Sequence, residues 1–208
     1  SIASGGNYNV VVGDEAGTAI TTGDANTFVG FEAGKTISTA SENTAFGYQA
    51  LKANTSGDGN TAIGVKAMDA NTVGDRNVAV GSDALGAMNP ATNADMYNVA
   101  VGYHAGVSVT TGIHNTLIGG LAGDALTDAD KNIAIGYNAL TADTLGSRSV
   151  AIGVGTLGTQ NFTTATSAYN VGVGHNAGTL ITTGIHNTLV GGQAGDALTD
   201  ADDNVAVG

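Results

Sequence analysis

The sequence predicts an all-β fold, a parallel β-solenoid of about twelve stacked 17-residue coils. Three observations predict it: a five-residue motif recurs twelve times, every copy ends in glycine, and the second residue of every copy is β-branched. The motif reads Asn–β-branched–small–apolar–Gly, as in Asn60–Gly64, Asn77–Gly81 and Asn132–Gly136. A unit this short cannot bury a core alone, so the copies are expected to stack.

The motif glycines define the period of the coils. Consecutive glycines lie 17 residues apart, except for two steps of 21. The twelve are Gly13, Gly30, Gly47, Gly64, Gly81, Gly102, Gly119, Gly136, Gly153, Gly174, Gly191 and Gly208. The two longer steps predict four-residue insertions near residues 86–97 and 158–169. We expect residues 1–208 to form one solenoid segment, part of a longer fibre.

Positions two to four of each coil, counted from the Asn, form the predicted strand. Position two is Val, Ile or Thr, and position four is Val, Ile or Phe, in all copies. Side chains alternate between the faces of a strand, and both faces here are apolar or small. We therefore expect both faces to be buried. Because one coil encloses one interior, the second apolar face predicts contact with another chain.

Positions nine and twelve of the coil compensate for each other in size. Where position nine is Gly, as at Gly34, position twelve is a large apolar residue, as at Ile37. Where position nine is Leu, as at Leu51, position twelve is polar, as at Asn54. A fixed interior volume imposes this exchange on stacked units.

The Asn at position one predicts a structural ladder rather than a binding site. It is present in eleven of twelve copies, with Ser149 in its place once. Stacked amide side chains can hydrogen-bond along an axis, as they do in cross-β stacks. The predicted ladder residues with their glycines are Asn60, Asn77, Asn132, Gly64, Gly81 and Gly136.

Composition excludes several classes of protein. There is no Cys, so disulfide frameworks and thiolate metal sites are excluded. The formal net charge of −12 argues against nucleic-acid binding. No apolar run is long enough to span a bilayer, and we expect no signal peptide and no membrane insertion. The 33 glycines do not follow the period of collagen, and a 42% apolar fraction argues against disorder.

The coils resemble two groups of fibrous proteins. Asn77–Gly81, Asn98–Gly102 and Asn204–Gly208 are similar to the head repeats of YadA-like trimeric autotransporter adhesins. Asn43–Leu51 resembles repeats of tail-fibre and appendage proteins of tailed phages. The first resemblance implies a left-handed β-roll in a homotrimer, although that family has a shorter repeat. Together they imply a phage tail fibre or virion appendage shaft involved in host attachment, with a bacterial surface adhesin as the alternative.

No residue pattern indicates an enzyme. His114 and His186 occupy the same place in two coils 72 residues apart, so repetition explains them without catalysis. No nucleophile elbow or phosphate-binding loop occurs, and no cofactor is expected. Asp-x-Asp-x-Asn occurs twice and offers oxygen ligands for calcium, but the Gly and Glu that complete a calcium loop are absent. We favour turn residues over calcium ligands for Asp128, Asp130, Asn132, Asp200, Asp202 and Asn204.

The two insertions are the candidates for receptor binding. Longer loops on a repetitive scaffold often carry recognition. A host-surface glycan or protein would contact Asn93, Tyr97, Thr163, Thr166 and Tyr169, unless these residues only decorate the coil. The expected location is a virion appendage or the cell surface, and the other expected partners are fibre or virion proteins. An ice-binding solenoid is a weaker alternative, because Thr-Thr-Gly recurs only at Thr21, Thr110 and Thr182.

Overall fold

The computed structural model describes residues 5–208, which form strands and turns without a helix. Sixteen strands follow one another along the chain. They are β1 (Val10–Val12), β2 (Thr27–Val29), β3 (Thr44–Phe46), β4 (Thr61–Ile63), β5 (Gly74–Asp75), β6 (Val78–Val80), β7 (Ala94–Asp95), β8 (Val99–Val101), β9 (Thr116–Ile118), β10 (Ile133–Ile135), β11 (Gly146–Ser147), β12 (Val150–Ile152), β13 (Thr166–Ser167), β14 (Val171–Val173), β15 (Thr188–Val190) and β16 (Val205–Val207). With no helix present, residues 5–208 contain no helical segment able to cross a membrane.

The twelve three-residue strands form a single parallel sheet, with one strand from each coil. They pair in chain order, and each residue aligns with its equivalent in the next coil, as Ala45 does with Ala62. The predicted parallel β-solenoid of about twelve coils is therefore confirmed. Coil-to-coil bonding continues into the turn, where the Lys66 N–H donates to the Tyr48 carbonyl oxygen at 2.9 Å.

The two insertions leave the main sheet undisturbed. β6 pairs with β8 across the first 21-residue step, and Val78 still aligns with Val99. The extra residues are accommodated on another side of the coil, where β7 pairs with β5 and β13 pairs with β11. The first insertion is not wholly a surface loop, because Met88 and Met96 at its two ends are buried.

The interior of the solenoid lies behind coil position three, which is the middle residue of each strand. Phe28, Ala62 and Leu117 at this position have no exposed surface. Positions two and four point the other way and are half-buried or exposed, with Phe46 at 56%. The expectation that both strand faces are buried is thus not met within one chain, because a single coil has only one interior.

The exchange of volume between positions nine and twelve is confirmed. Leu51 and Ile37, which supply the large group early or late in their coils, are both fully buried. A Cβ added at Gly34 would lie 2.7 Å from the Phe28 ring, so no larger residue fits there. Leu85 and Met88 depart from the pattern, since both are large and both are buried. They lie in the coil that the first insertion lengthens.

Position five requires glycine for two reasons. At Gly119, φ is +129°, a conformation that side-chain-bearing residues rarely adopt. A Cβ there would also lie 2.6 Å from the carbonyl oxygen of Gly136 in the next coil. The invariant glycine therefore sets how closely consecutive coils approach.

Candidate functional site

The outer side of the main sheet carries an apolar surface that follows position four along every coil. Positions two and four of each strand and position six after it face outward on every coil; we call this surface the outer strand face. Its exposed members include Phe46 at 56%, Ile63 at 39% and Tyr103 at 59%. Phe31 and Tyr48 stack on neighbouring coils with ring centroids 5.5 Å apart. Exposed apolar surface of this extent is typical of an interaction site.

The position-one residues lie on the inside, stacked along the axis. The Asn77 backbone N–H donates to Oδ1 of Asn60 at 3.0 Å, and the Asn132 N–H donates to Oδ1 of Asn115 at 2.9 Å. Nδ2 of Asn60 also donates to the Gly74 carbonyl oxygen across the coil at 2.8 Å. Each buried amide is thus satisfied by its own coil and by its neighbour. This arrangement holds the coils together and leaves no amide free for a ligand.

The acidic candidates for calcium point in different directions. Oδ1 of Asp130 accepts the Ile113 N–H at 2.8 Å, and Oδ1 of Asp202 accepts the Ile185 N–H at 2.8 Å. Asn132 is buried in the ladder, whereas Asp128 is exposed and accepts a hydrogen bond from Thr111. Asp200 accepts from Thr199, and Asn204 donates to Oδ1 of Asn187. Residues 5–208 contain no cluster of three or more acidic or His side chains arranged to hold a metal.

The receptor candidates divide between two separate places on the surface. Asn93 is exposed, with Nδ2 3.5 Å from Oδ1 of Asp75. Thr163 is exposed, and Thr166 donates to the Thr164 carbonyl oxygen at 3.0 Å. Four coil steps separate Tyr97 from Tyr169, a distance of roughly 19 Å at the spacing of neighbouring strands. The two insertions therefore do not converge on one site.

Tyr97 and Tyr169 do share one row of side chains, the position just before the ladder Asn. Seven consecutive coils place cationic or aromatic residues there, and we call this the basic row. Its members are Arg76, Tyr97, His114, Lys131, Arg148, Tyr169 and His186. All seven have φ between +51° and +64°. The repeated left-handed backbone turns each side chain outward at the same place on its coil.

Stacking orders the basic row. The Tyr97 and His114 rings are 5.7 Å apart and 10° from parallel, and the Arg76 guanidinium lies 6.0 Å from the Tyr97 centroid. The same arrangement recurs 72 residues later in the chain. Tyr169 and His186 are 5.6 Å apart, and the Arg148 guanidinium lies 5.7 Å from the Tyr169 centroid. Such contacts limit the rotation of otherwise mobile side chains.

The two halves of the basic row differ in charge. Arg76 pairs with Asp95, which also accepts a hydrogen bond from the Tyr97 hydroxyl at 3.2 Å. Arg148 instead donates to the Ser167 hydroxyl, since Ser replaces the acid at that place. Neither Arg148 nor Lys131 forms an ion pair with any residue from 5 to 208. Beside Arg76, burial raises the pKa of the Asp75 carboxyl.

The sequence indicates part of this row, because the two Tyr are receptor candidates and His114 and His186 are equivalent, but it does not indicate the row as a whole. The signal that was available is position 17 read down successive coils, which gives Arg-Tyr-His-Lys-Arg-Tyr-His. The ordering by stacking could not be read from the sequence, because it depends on the left-handed backbone at these residues.

Comparison of the chain with family models, curated proteins and solved structures found no match.

Proposed function

We propose that this chain is a segment of a homotrimeric fibre, a left-handed β-roll shaft of the tail-fibre or virion-appendage kind. Its role is structural and adhesive: it spaces and presents lateral sites that attach to a host surface, and it catalyses no reaction. The single observation that carries the proposal is the outer strand face, an apolar surface repeated on every coil. The resemblance of Asn43–Leu51 to phage appendage repeats supplies the kind of fibre.

The extent of the outer strand face supports assembly. Twelve coils at the strand spacing make an apolar stripe roughly 50–60 Å long. Soluble monomers rarely expose apolar patches of this size. Position four is apolar on every coil, and the exposed apolar members of the face include Ile118, Val190 and Tyr137. A partner that covers them would remove this surface from water at each coil.

The period of the stripe supports a second and third copy of the same chain as that partner. A surface that covers the stripe must have the same spacing as its coils over the full length. A second copy of this chain has that spacing. Three copies related by a rotation axis close the assembly and leave no stripe exposed. The number three comes from the resemblance to trimeric adhesin heads.

The test is the mass of the purified protein in solution, measured by light scattering or sedimentation. We expect three times the chain mass of 20.3 kDa. The double variant I63E/I118E, on the outer strand face, is expected to be monomeric with unchanged β-structure by circular dichroism. L180E is the control, because Leu180 is 49% exposed and lies outside that face. A wild-type protein that is a stable monomer would overturn the trimer.

A bacterial surface adhesin has the same geometry and differs in what flanks this segment. The full-length gene separates the two. An N-terminal baseplate-binding domain or a C-terminal intramolecular chaperone supports the phage appendage. A membrane-anchoring translocation domain supports the adhesin and would replace the virion assignment.

A further inference from the structure

We propose that the basic row binds a linear acidic polysaccharide that lies along the axis of the shaft. The inference deepens the proposed function, since it names the chemical class of the host-surface ligand, and it rests on that function. The central segment of the site is His114, Lys131, Arg148 and Tyr169.

The distribution of charge is the first argument. The chain has only six Lys and Arg against 18 acidic residues, yet three of those six lie in the basic row. Two of its four His lie there too. A chain with a net charge of −12 thus concentrates its cations in one line on one edge. Chance placement would scatter them over the surface.

The availability of these cations is the second argument. Lys35 and Lys52 also occupy consecutive coils, but both pair with Glu32, and Lys35 pairs with Glu15 as well. Lys131 is exposed and Arg148 is partly exposed, and neither has an ion-pair partner among residues 5–208. Their positive charge is therefore free to be neutralised by an external anion.

The order within the row is the third argument. The faces of Tyr169 and His186 are stacked on each other, and both side chains are exposed. A ligand would meet guanidinium, ammonium, imidazole and phenol groups held at one coil spacing, about 4.8 Å. Side chains ordered before binding lose less conformational entropy when the ligand arrives.

These features fit a carboxylated polysaccharide better than a nucleic acid. A polysaccharide offers hydroxyl groups to the Tyr and His donors as well as carboxylates to Lys131 and Arg148. A nucleic acid would offer phosphates to the same cations but fewer hydroxyl groups to the Tyr and His donors. Asp95 and Asp203 lie at the two ends of the row and confine the favourable segment to its centre.

The experiment measures binding of the assembled protein to polygalacturonate by affinity electrophoresis and calorimetry. We expect retardation that weakens as salt is added, and no retardation by fully methyl-esterified polygalacturonate. The double variant K131Q/R148Q is expected to bind about five- to tenfold more weakly, because two exposed ionic contacts are lost. K66Q is the matched control: Lys66 is exposed, has φ of +54°, and lies off the row.

Each outcome decides the proposal. Binding about five- to tenfold weaker in K131Q/R148Q, with unchanged affinity in K66Q, supports it. Equal loss in both, no binding by the wild type, or equally tight binding of single-stranded DNA overturns it. The mass of each variant is measured in parallel. A trimer that ignores polygalacturonate overturns this inference alone, whereas a monomer that binds it overturns only the proposed assembly.

Discussion

Nε2 of Gln160 donates a hydrogen bond to Oγ of Ser149 at 3.0 Å, at the coil where the ladder lacks its Asn. The same nitrogen lies 2.6 Å from Oδ2 of Asp143, and Oε1 accepts from Nδ2 of Asn170 at 2.9 Å. All four side chains are fully buried. Gln160 thus reaches across the interior and supplies the amide that Ser149 does not.

Removing this amide is expected to destabilise the fold. Q160A leaves Asp143, Ser149 and Asn170 with one hydrogen bond fewer each, and we expect a loss of about 3 kcal/mol in the free energy of unfolding. Urea or thermal unfolding followed by circular dichroism measures it. The double variant S149N/Q160N reproduces the coil of Asn43 and Asn54 and is expected to recover most of the loss. No recovery would contradict the view that Gln160 substitutes for the ladder amide.

Two adjacent glycines provide a direct test of coil spacing. G119A is expected to cost at least about 2 kcal/mol, because the residue is held at φ of +129° and the new methyl group would meet the Gly136 carbonyl. G120A is the control: its Cβ would lie 3.5 Å from the Tyr137 ring, an ordinary contact. Thermal unfolding of both variants should separate them by several degrees, and equal midpoints would contradict the assignment.

A cluster of charges around Glu32 predicts acid sensitivity. Hydrogen bonds from Lys35, Lys52 and Gln49 lower the pKa of Glu32 from 4.5 to about 2. Because the pKa in the folded state is below that in the unfolded state, the stabilisation is complete above pH 4.5 and is lost as the pH falls through 2. We expect unfolding midpoints of E32Q to fall less steeply than wild type over that range. E42Q, at an exposed carboxylate, should follow the wild type, and an E32Q curve parallel to wild type would refute the prediction.

Asp143 has the opposite dependence on pH. Burial raises the pKa of its carboxyl, against the hydrogen bonds from Gln160, Phe162 and Gly146 that lower it. The folded state therefore binds the proton more tightly than the unfolded state, and this group adds stability as the pH falls below neutrality. We expect the stability of wild type relative to D143N to increase as the pH falls from 7 toward 4, because only the Asp143 carboxyl takes up a proton. Denaturant titrations at both pH values measure this, and a difference that does not change with pH would contradict it.

The sequence predicts the stacked coils because every coil must satisfy the same packing requirements. Twelve glycines at position five and the exchange between positions nine and twelve state the period and the interior volume. The outward direction of positions two and four was not predicted, because an exposed apolar residue and a core residue look the same in a sequence. Ile63 and Ala62 look alike as sequence, yet one is 39% exposed and the other buried.

The candidate site was only partly predictable. The two insertions indicate Tyr97 and Tyr169 as candidates, but the side chains next to them in the basic row belong to other coils. Lys131 precedes the ladder Asn whereas Lys66 does not, but the sequence does not show that the side chains at that position stack on one another. Gln160 lay in a predicted loop and is buried, since only the path of the chain brings it beneath Ser149.

The constant alignment of Val78 with Val99 across a longer coil has a practical consequence. One side of each turn tolerates added sequence while the strand on the other side keeps its place. Length, rigidity and assembly can then be inherited unchanged as the inserted segments vary. A solenoid of this kind is a scaffold, and foreign loops grafted after Met88 or Gln160 should be displayed at a fixed interval.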